Sequence, residues 1–162
     1  MASLTTKEFI QIVYIDQLGQ IVPSFPYHSF LIIGVGIELL GKCTDESLKS
    51  WDTPGKSKHY FEKAIKDINN LASYRSYLTS HSLYTAFRCG LAHSSKPDFE
   101  VTLSSKNELG HLIERNGRIN LKIEDFYSDF SNACLEVMTN PYPPTDKMNQ
   151  PFLSVPGPKL ST

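Results

Sequence analysis

Residues 27–42 read YHSFLIIGVGIELLGK, and the fold turns on what this stretch becomes. Pro23 and Pro26 mark a linker before it. Its apolar residues fall on nearly every side of a 3.6-residue repeat, the pattern of a helix enclosed by its neighbours. The apolar run 30–37 stops at Glu38, well short of the ~20 residues that cross a bilayer, so a buried helix rather than a membrane span is expected. Glu38 then needs a partner, because an unpaired carboxylate in an apolar enclosure is costly. Two solutions are open: an exposed edge with Glu38 paired to Lys42 one turn on, or a helix seam with Glu38 opposite Arg88. Gly34 and Gly41, four before and three after, lie on the side of Glu38 and let a neighbouring backbone come close.

Helical periodicity recurs on both sides. Thr5 or Thr6 caps a first helix with Phe9, Ile12, Val13, Ile15 and Leu18 on its stripe, and Gly19 can end it. Ser57 caps another, with Tyr60, Phe61, Ala64, Ile65 and Ile68 spaced by threes and fours. Ser80 or Ser82 opens a further helix carrying Leu83, Phe87 and Leu91, which stops near His93 because Pro97 follows. The period then drops to two: Phe99, Val101 and Leu103 alternate with polar residues, as do Ile119, Leu121 and Ile123. Asn116-Gly117 supplies the positive φ angles of a two-residue hairpin, pairing Arg115 with Arg118 and Leu112 with Leu121. Strands are expected near 99–105, 111–115 and 118–123. Glu124-Asp125 opens the last helix, which turns Phe126, Phe130, Ala133, Cys134 and Val137 inward. The expected fold class is mainly α, a helical bundle with a small antiparallel β-ribbon inserted before the last helix. It forms a single domain over residues 1–140. Residues 141–162 hold six of the ten prolines and read as a Pro-rich C-terminal tail rather than a packed element, touching the domain through Phe152 and Leu153.

Composition narrows the function. Sixteen Lys plus Arg against seventeen Asp plus Glu give a net charge of −1, unlike the strongly basic surface of a general nucleic-acid binder, although a local basic patch stays open. Three separated cysteines, Cys43, Cys89 and Cys134, form no disulfide framework or zinc spacing. The first ten residues lack the apolar core of a signal peptide, so a reduced, cytoplasmic location with no membrane association is expected. Gly55-Lys56-Ser57 mimics the end of a phosphate-binding loop, but Ser50 stands where its first glycine belongs, and an ordinary helix start is the better reading. His28, His59, His81, His93 and His111 show no HxxxH or HxH spacing, so no metal and no cofactor is expected. His59 and Glu62 are an ordinary i,i+3 surface pair.

Arg88 and His93 are the residues with chemistry to offer. A guanidinium clamps phosphate with two prongs, and an imidazole moves a proton near neutral pH. Together they suffice for metal-free RNA cleavage, with His93 activating the ribose 2′-hydroxyl and Arg88 stabilising charge on phosphorus oxygens. On an ideal helix they stand about 140° apart, so they converge only if the helix loosens near Gly90 or ends before His93. The alternative is a structural arginine on Glu38 and a helix-end histidine bonded to a carbonyl.

The Arg-x4-His segment RCGLAH resembles the motif of HEPN domains (higher eukaryotes and prokaryotes nucleotide-binding). GIELLGKC, GKSKHYFEKAI, LYTAFRCGLAHS and GRINLKIEDFYSDFSNACLEVM look like an uncharacterised bacterial group of HEPN-like proteins, over roughly residues 27–140. The resemblance implies a helical bundle and frequent homodimers. It also implies metal-independent endoribonuclease activity among active members, beside non-catalytic scaffolds. Arg88 matches the motif arginine and His93 its histidine, with Glu38 in a supporting place. Cys89 departs from the polar residue that often follows the arginine in nuclease members. Two readings are therefore carried forward. One is a HEPN-like homodimer acting on RNA. The other is a non-catalytic helical dimerisation or interaction module of a stress or defence system, with an antitoxin-type protein partner.

Overall fold

The computed structural model describes residues 2–48, 50–106, 108–140 and 145–155. The fold is mainly α. Strand β1 (Ala2–Thr5) leads into one continuous helical rod: α1 (Thr6–Phe9), a π-wound stretch (Ile10–Gln17) and α2 (Leu18–Ile21). Then come α3 (Pro26–Cys43), α4 (Ser57–Asp67), a 3-10 segment (Asn69–Tyr74), the short α5 (Tyr77–Ser80), a second π-wound stretch (Tyr84–Cys89) and α6 (Gly90–Ser94). Strands β2 (Val101–Ser104), β3 (Glu114–Arg115) and β4 (Arg118–Lys122) precede α7 (Ile123–Thr139), and a 3-10 turn (Thr145–Asn149) leads to β5 (Pro151–Val155). Among the described residues no helix is long and apolar enough to cross a membrane.

Helix α3 is the hub. Ser29, Phe30, Ile33, Ile37, Leu40 and Cys43 are buried along it. Its glycines are notches for its neighbours. A Cβ on Gly41 would sit inside the Tyr60 carbonyl of α4, one on Gly36 would strike the Phe130 ring of α7, and one on Gly34 would press on Phe87. The enclosure is not complete, however. Leu31 and Val35, expected inside, are exposed on one face of α3.

The chain departs from its sequence pattern in several places. Thr5 does cap the first helix, in a capping box with Glu8. That helix runs past Gly19, whose missing side chain makes room for Tyr127 of α7, and the Tyr127 hydroxyl donates to the Ile15 carbonyl at 2.7 Å. Lys56, not Ser57, holds the cap position of α4, and Ser57 is its first helical residue. Phe99 is no strand residue, since β2 starts at Val101 and leaves Phe99 62% exposed. Residues 145–155 of the proline-rich segment pack back: β5 pairs antiparallel with β1, and Phe152 packs at a tilt against Phe9 and edge-to-face with Trp51. Lys147 is buried there, and its ammonium donates to the Asp45 carbonyl just past the end of α3. Residues 141–144 and 156–162 lie outside the described residues.

The ribbon forms as a hairpin, with Asn116 and Gly117 at φ +53° and +72° and Arg115 opposite Arg118. Two details differ. Strand β2 lies on the other side of β4 and runs parallel to it, so the sheet is mixed rather than an antiparallel ribbon. Alternation marks a strand but does not name its neighbour. The Leu112–Leu121 pair is replaced by a bulge: Leu112, at φ +55°, donates to the Asn120 carbonyl, and Asn120 N–H goes to Ile113. Fully buried Asn120 pins the crossover by donating to Ser104 Oγ and to the Leu109 and Gly110 carbonyls.

His111 fastens the sheet to the helices. Its Nδ1 accepts the Lys122 N–H at 3.0 Å, which leaves the proton of the neutral ring on Nε2, 2.8 Å from the Tyr74 hydroxyl oxygen. Tyr74 in turn donates to Asp129 Oδ2 at 2.7 Å. Burial holds the His111 pKa below its ordinary 6.5, against the pull of Asp129 and Asp125 and with the help of Lys122. Between the folded and unfolded pKa values the unfolded chain binds the extra proton. The contribution is therefore whole above about pH 6.5 and is lost as pH falls through the folded value. Urea midpoints taken from about pH 7.5 to about pH 5 should fall more steeply for the parent than for His111→Gln, which starts less stable. Equal slopes would remove His111 from this account.

Candidate functional site

The segment carrying Arg88 and His93 enters its helix abruptly, with Ser82 at φ +46°. Residues Tyr84–Cys89 are then π-wound, so side chains five apart come closer round the axis than on an α-helix. Tyr84 and Cys89 meet in this way. Burial, followed by the contact with Cys89, pushes the Tyr84 hydroxyl up to about 12. The wider turn is completed from outside: the Ala86 carbonyl accepts the Asp98 N–H at 2.7 Å as the chain returns. Gly90 makes that return feasible, because a Cβ there would lie 2.8 Å from the Lys96 carbonyl oxygen. Ser95, at φ +57°, ends the helix.

The winding places Arg88 on Glu38. Arg88 Nε and Glu38 Oε1 form an ion pair across the α3 seam, with side chains 15% and 10% exposed. Gly34 opens the path, since the Arg88 Cγ lies 3.5 Å from where its Cβ would be. Lys42, the other partner considered for Glu38, instead donates to the Trp51 carbonyl at 2.7 Å and lies over the Tyr60 ring. His93 stands apart, exposed in the last turn of α6. Among the described residues no hydrogen bond or ion pair joins it to Arg88 or Glu38. The structure thus brings together Glu38 and Arg88 and leaves His93 at the open end of the same helix. The helix does loosen, over Tyr84–Cys89, but this does not bring Arg88 and His93 together.

Two grooves flank this region. One, of about 590 Å³, is lined by Tyr27, Lys96, Phe99 and Arg118, with Pro97 and Asp98 on the segment that follows His93. The Tyr27 hydroxyl donates to the Ser95 carbonyl, and the Arg118 guanidinium sits 4.0 Å above the Phe99 ring. The other, of about 450 Å³, has Glu38 in a wall of Tyr14, Trp51 and Phe152. Tyr27, Phe99 and Arg118 gave no sequence signal, for they are separated in the chain and only the return past Gly90 assembles them. Among the described residues no group of three or more His, Cys, Asp or Glu is arranged to hold a metal ion. Comparisons with protein-family models, with curated proteins and with solved structures return no match.

Breaking a buried pair leaves its partner's charge uncompensated, whereas replacing both by apolar residues of similar length does not. Glu38→Met alone should cost about 3 kcal/mol in urea unfolding, the low end for such pairs because both side chains keep some solvent contact. The Glu38→Met/Arg88→Met double variant should return to within about 1 kcal/mol of the parent. Strictly additive losses would mean that the two groups do not compensate each other.

Proposed function

We propose that the chain is a HEPN-like domain acting as a metal-independent endoribonuclease. The observation that carries this reading is the fixed Arg88: a nearly buried carboxylate holds its Nε edge, on the helix whose exposed end presents His93. An arginine held on that edge keeps its Nη groups for a phosphate. His93 takes the proton of a ribose 2′-hydroxyl, the 2′-oxygen attacks phosphorus as the bond to the 5′-oxygen breaks, the 5′-oxygen takes a proton from water, and His93 returns its own to solvent. The products are a 2′,3′-cyclic phosphate and a 5′-hydroxyl. Glu38 acts only as a positioning residue for Arg88.

The same burial favours a second reading. An arginine 15% exposed and already neutralised serves equally as a structural strut, in which case the domain is a non-catalytic interaction module, with a protein of the antitoxin type among its partners. Cellular RNA incubated with the purified chain separates the two. In the nuclease, cleavage survives EDTA, Arg88→Lys loses most activity for want of the planar two-pronged contact, and His93→Ala falls about 10²–10⁴-fold. Cleavage at an unchanged rate in both variants would end the assignment, and a folded chain that leaves RNA intact supports the module.

Both readings include a homodimer. Leu31 and Val35, one turn apart on α3, are exposed, an apolar stripe that a symmetry-related copy of the same helix would cover. Light scattering at micromolar concentration should give twice the 18.3 kDa chain mass, and Leu31→Glu with Val35→Glu should halve it. A monomeric parent chain would overturn the dimer.

A further inference from the structure

The groove beyond the end of α6 has features that the cleavage chemistry does not use. Phe99, a large apolar ring, stands 62% exposed on a segment held in place by the Asp98–Ala86 hydrogen bond, and Tyr27 beside it is 44% exposed. Tyr27 is held through Ser95, so both rings belong to a firm surface rather than to a loose loop. Arg118, on β4, stacks over Phe99 with no side-chain hydrogen bond or ion pair among the described residues, while Lys96 adds a second cation on the same wall. The volume of about 590 Å³ lies within the roughly 300–1,000 Å³ of ligand clefts. Asp98 offsets one of the two cations. A ligand here must therefore gain affinity from ring stacking as much as from charge. Unpaired nucleotides combine those properties: a flat π-face on each base and a phosphate between bases.

We propose that this groove is a subsite for single-stranded RNA, stacking a base on the open face of Phe99 and taking the adjoining phosphates on Arg118 and Lys96. It rests on the RNA reading above for the nature of its ligand. It deepens that reading by requiring unpaired strands and by placing them beside the helix end that carries His93. The duplex is excluded because its bases are already stacked and cannot reach the ring.

Fluorescence anisotropy with a labelled 2′-O-methyl oligoadenylate, which the proposed chemistry cannot cleave, tests the groove apart from the reaction. The single strand should bind, and its complementary duplex should bind at least tenfold more weakly. Phe99→Ala should weaken single-strand binding about tenfold, the loss of one stacked base, while Phe99→Tyr should retain it. Phe99 is exposed, so both variants should melt like the parent. Arg118→Ala and Lys96→Ala should each lower the salt dependence by about 0.7 in the slope of log K against log salt. Binding that is unchanged in Phe99→Ala, equal for the duplex, or absent altogether overturns the proposal, as does a groove that takes up peptides instead. The two failures are distinguishable. Stacking-dependent binding without cleavage retains the groove and removes the nuclease, whereas cleavage and binding both unaffected by Phe99→Ala retain the nuclease and remove the groove.

Discussion

A carboxylate in the middle of an enclosed helix must be neutralised where it stands, and the cation has to come from a neighbour that can reach it. Glu38 imposes that condition on this fold, and Arg88 meets it. Reach is limited by how close the segments can come, which is why α3 is notched: Gly34 passes Arg88 and Phe87, Gly36 takes the Phe130 ring, and Gly41 lies on the Tyr60 backbone. A methyl group at Gly36 or Gly41 would push a packed neighbour outward. With the notches, α4, α7 and the π-wound segment all close on one helix, burying Phe30, Phe87, Phe126 and Phe130 together at roughly 1.5–3 kcal/mol of transfer free energy each.

The π winding follows from the same demand. An α-helix over residues 84–89 would carry Phe87 into the core, but its tighter turns would stack Tyr84 on Arg88 rather than on Cys89. The wider turn brings Cys89 towards Tyr84, and the Ala86 carbonyl accepts the returning Asp98 N–H. One local departure from regular winding therefore fixes the ion pair, the position of the 95–99 segment, and the open end where His93 stands. The sheet adds rigidity beyond it, through Asn120 and the His111–Tyr74–Asp129 chain.

Much of this is legible in the sequence where one strong local rule acts alone. The hairpin follows from Asn116-Gly117, α7 from its acidic start and apolar spacing, and the need of Glu38 for a cation from the cost of burying a charge, with Arg88 and Lys42 both open as that cation. The missed features depend on long-range competition. The π and α patterns differ by less than one residue per turn, too little to separate across six residues such as 84–89. Gly19 reads as a stop but serves as a seat for Tyr127. Phe99 fits the alternation of β2 yet is held outside it by the Gly90–Lys96 approach. Prolines obscured β5, which survives as an edge strand because its partner β1 asks hydrogen bonds of one side only. Of the candidate residues, the roughly 140° between Arg88 and His93 on a regular helix already sets them apart, and they stay apart despite the loosened turn.

The net charge of −1 gains a physical meaning from this arrangement. An arginine whose charge is already balanced by Glu38 would attract a distant phosphate weakly, and would discriminate by the direction of its remaining N–H groups rather than by field strength. Affinity for a polyanion would then have to come from elsewhere, and a net charge of −1 supplies little of it by long-range attraction. Stacking is the remaining source, because it acts on bases and is indifferent to overall charge. Phe99 under Arg118 is an exposed ring a few residues past His93. A domain built this way would bind only strands whose bases are free, at points where the backbone can also approach the helix end. Selectivity for unpaired RNA would thus follow from the same economy of charge that makes the chain look unlike a nucleic-acid binder.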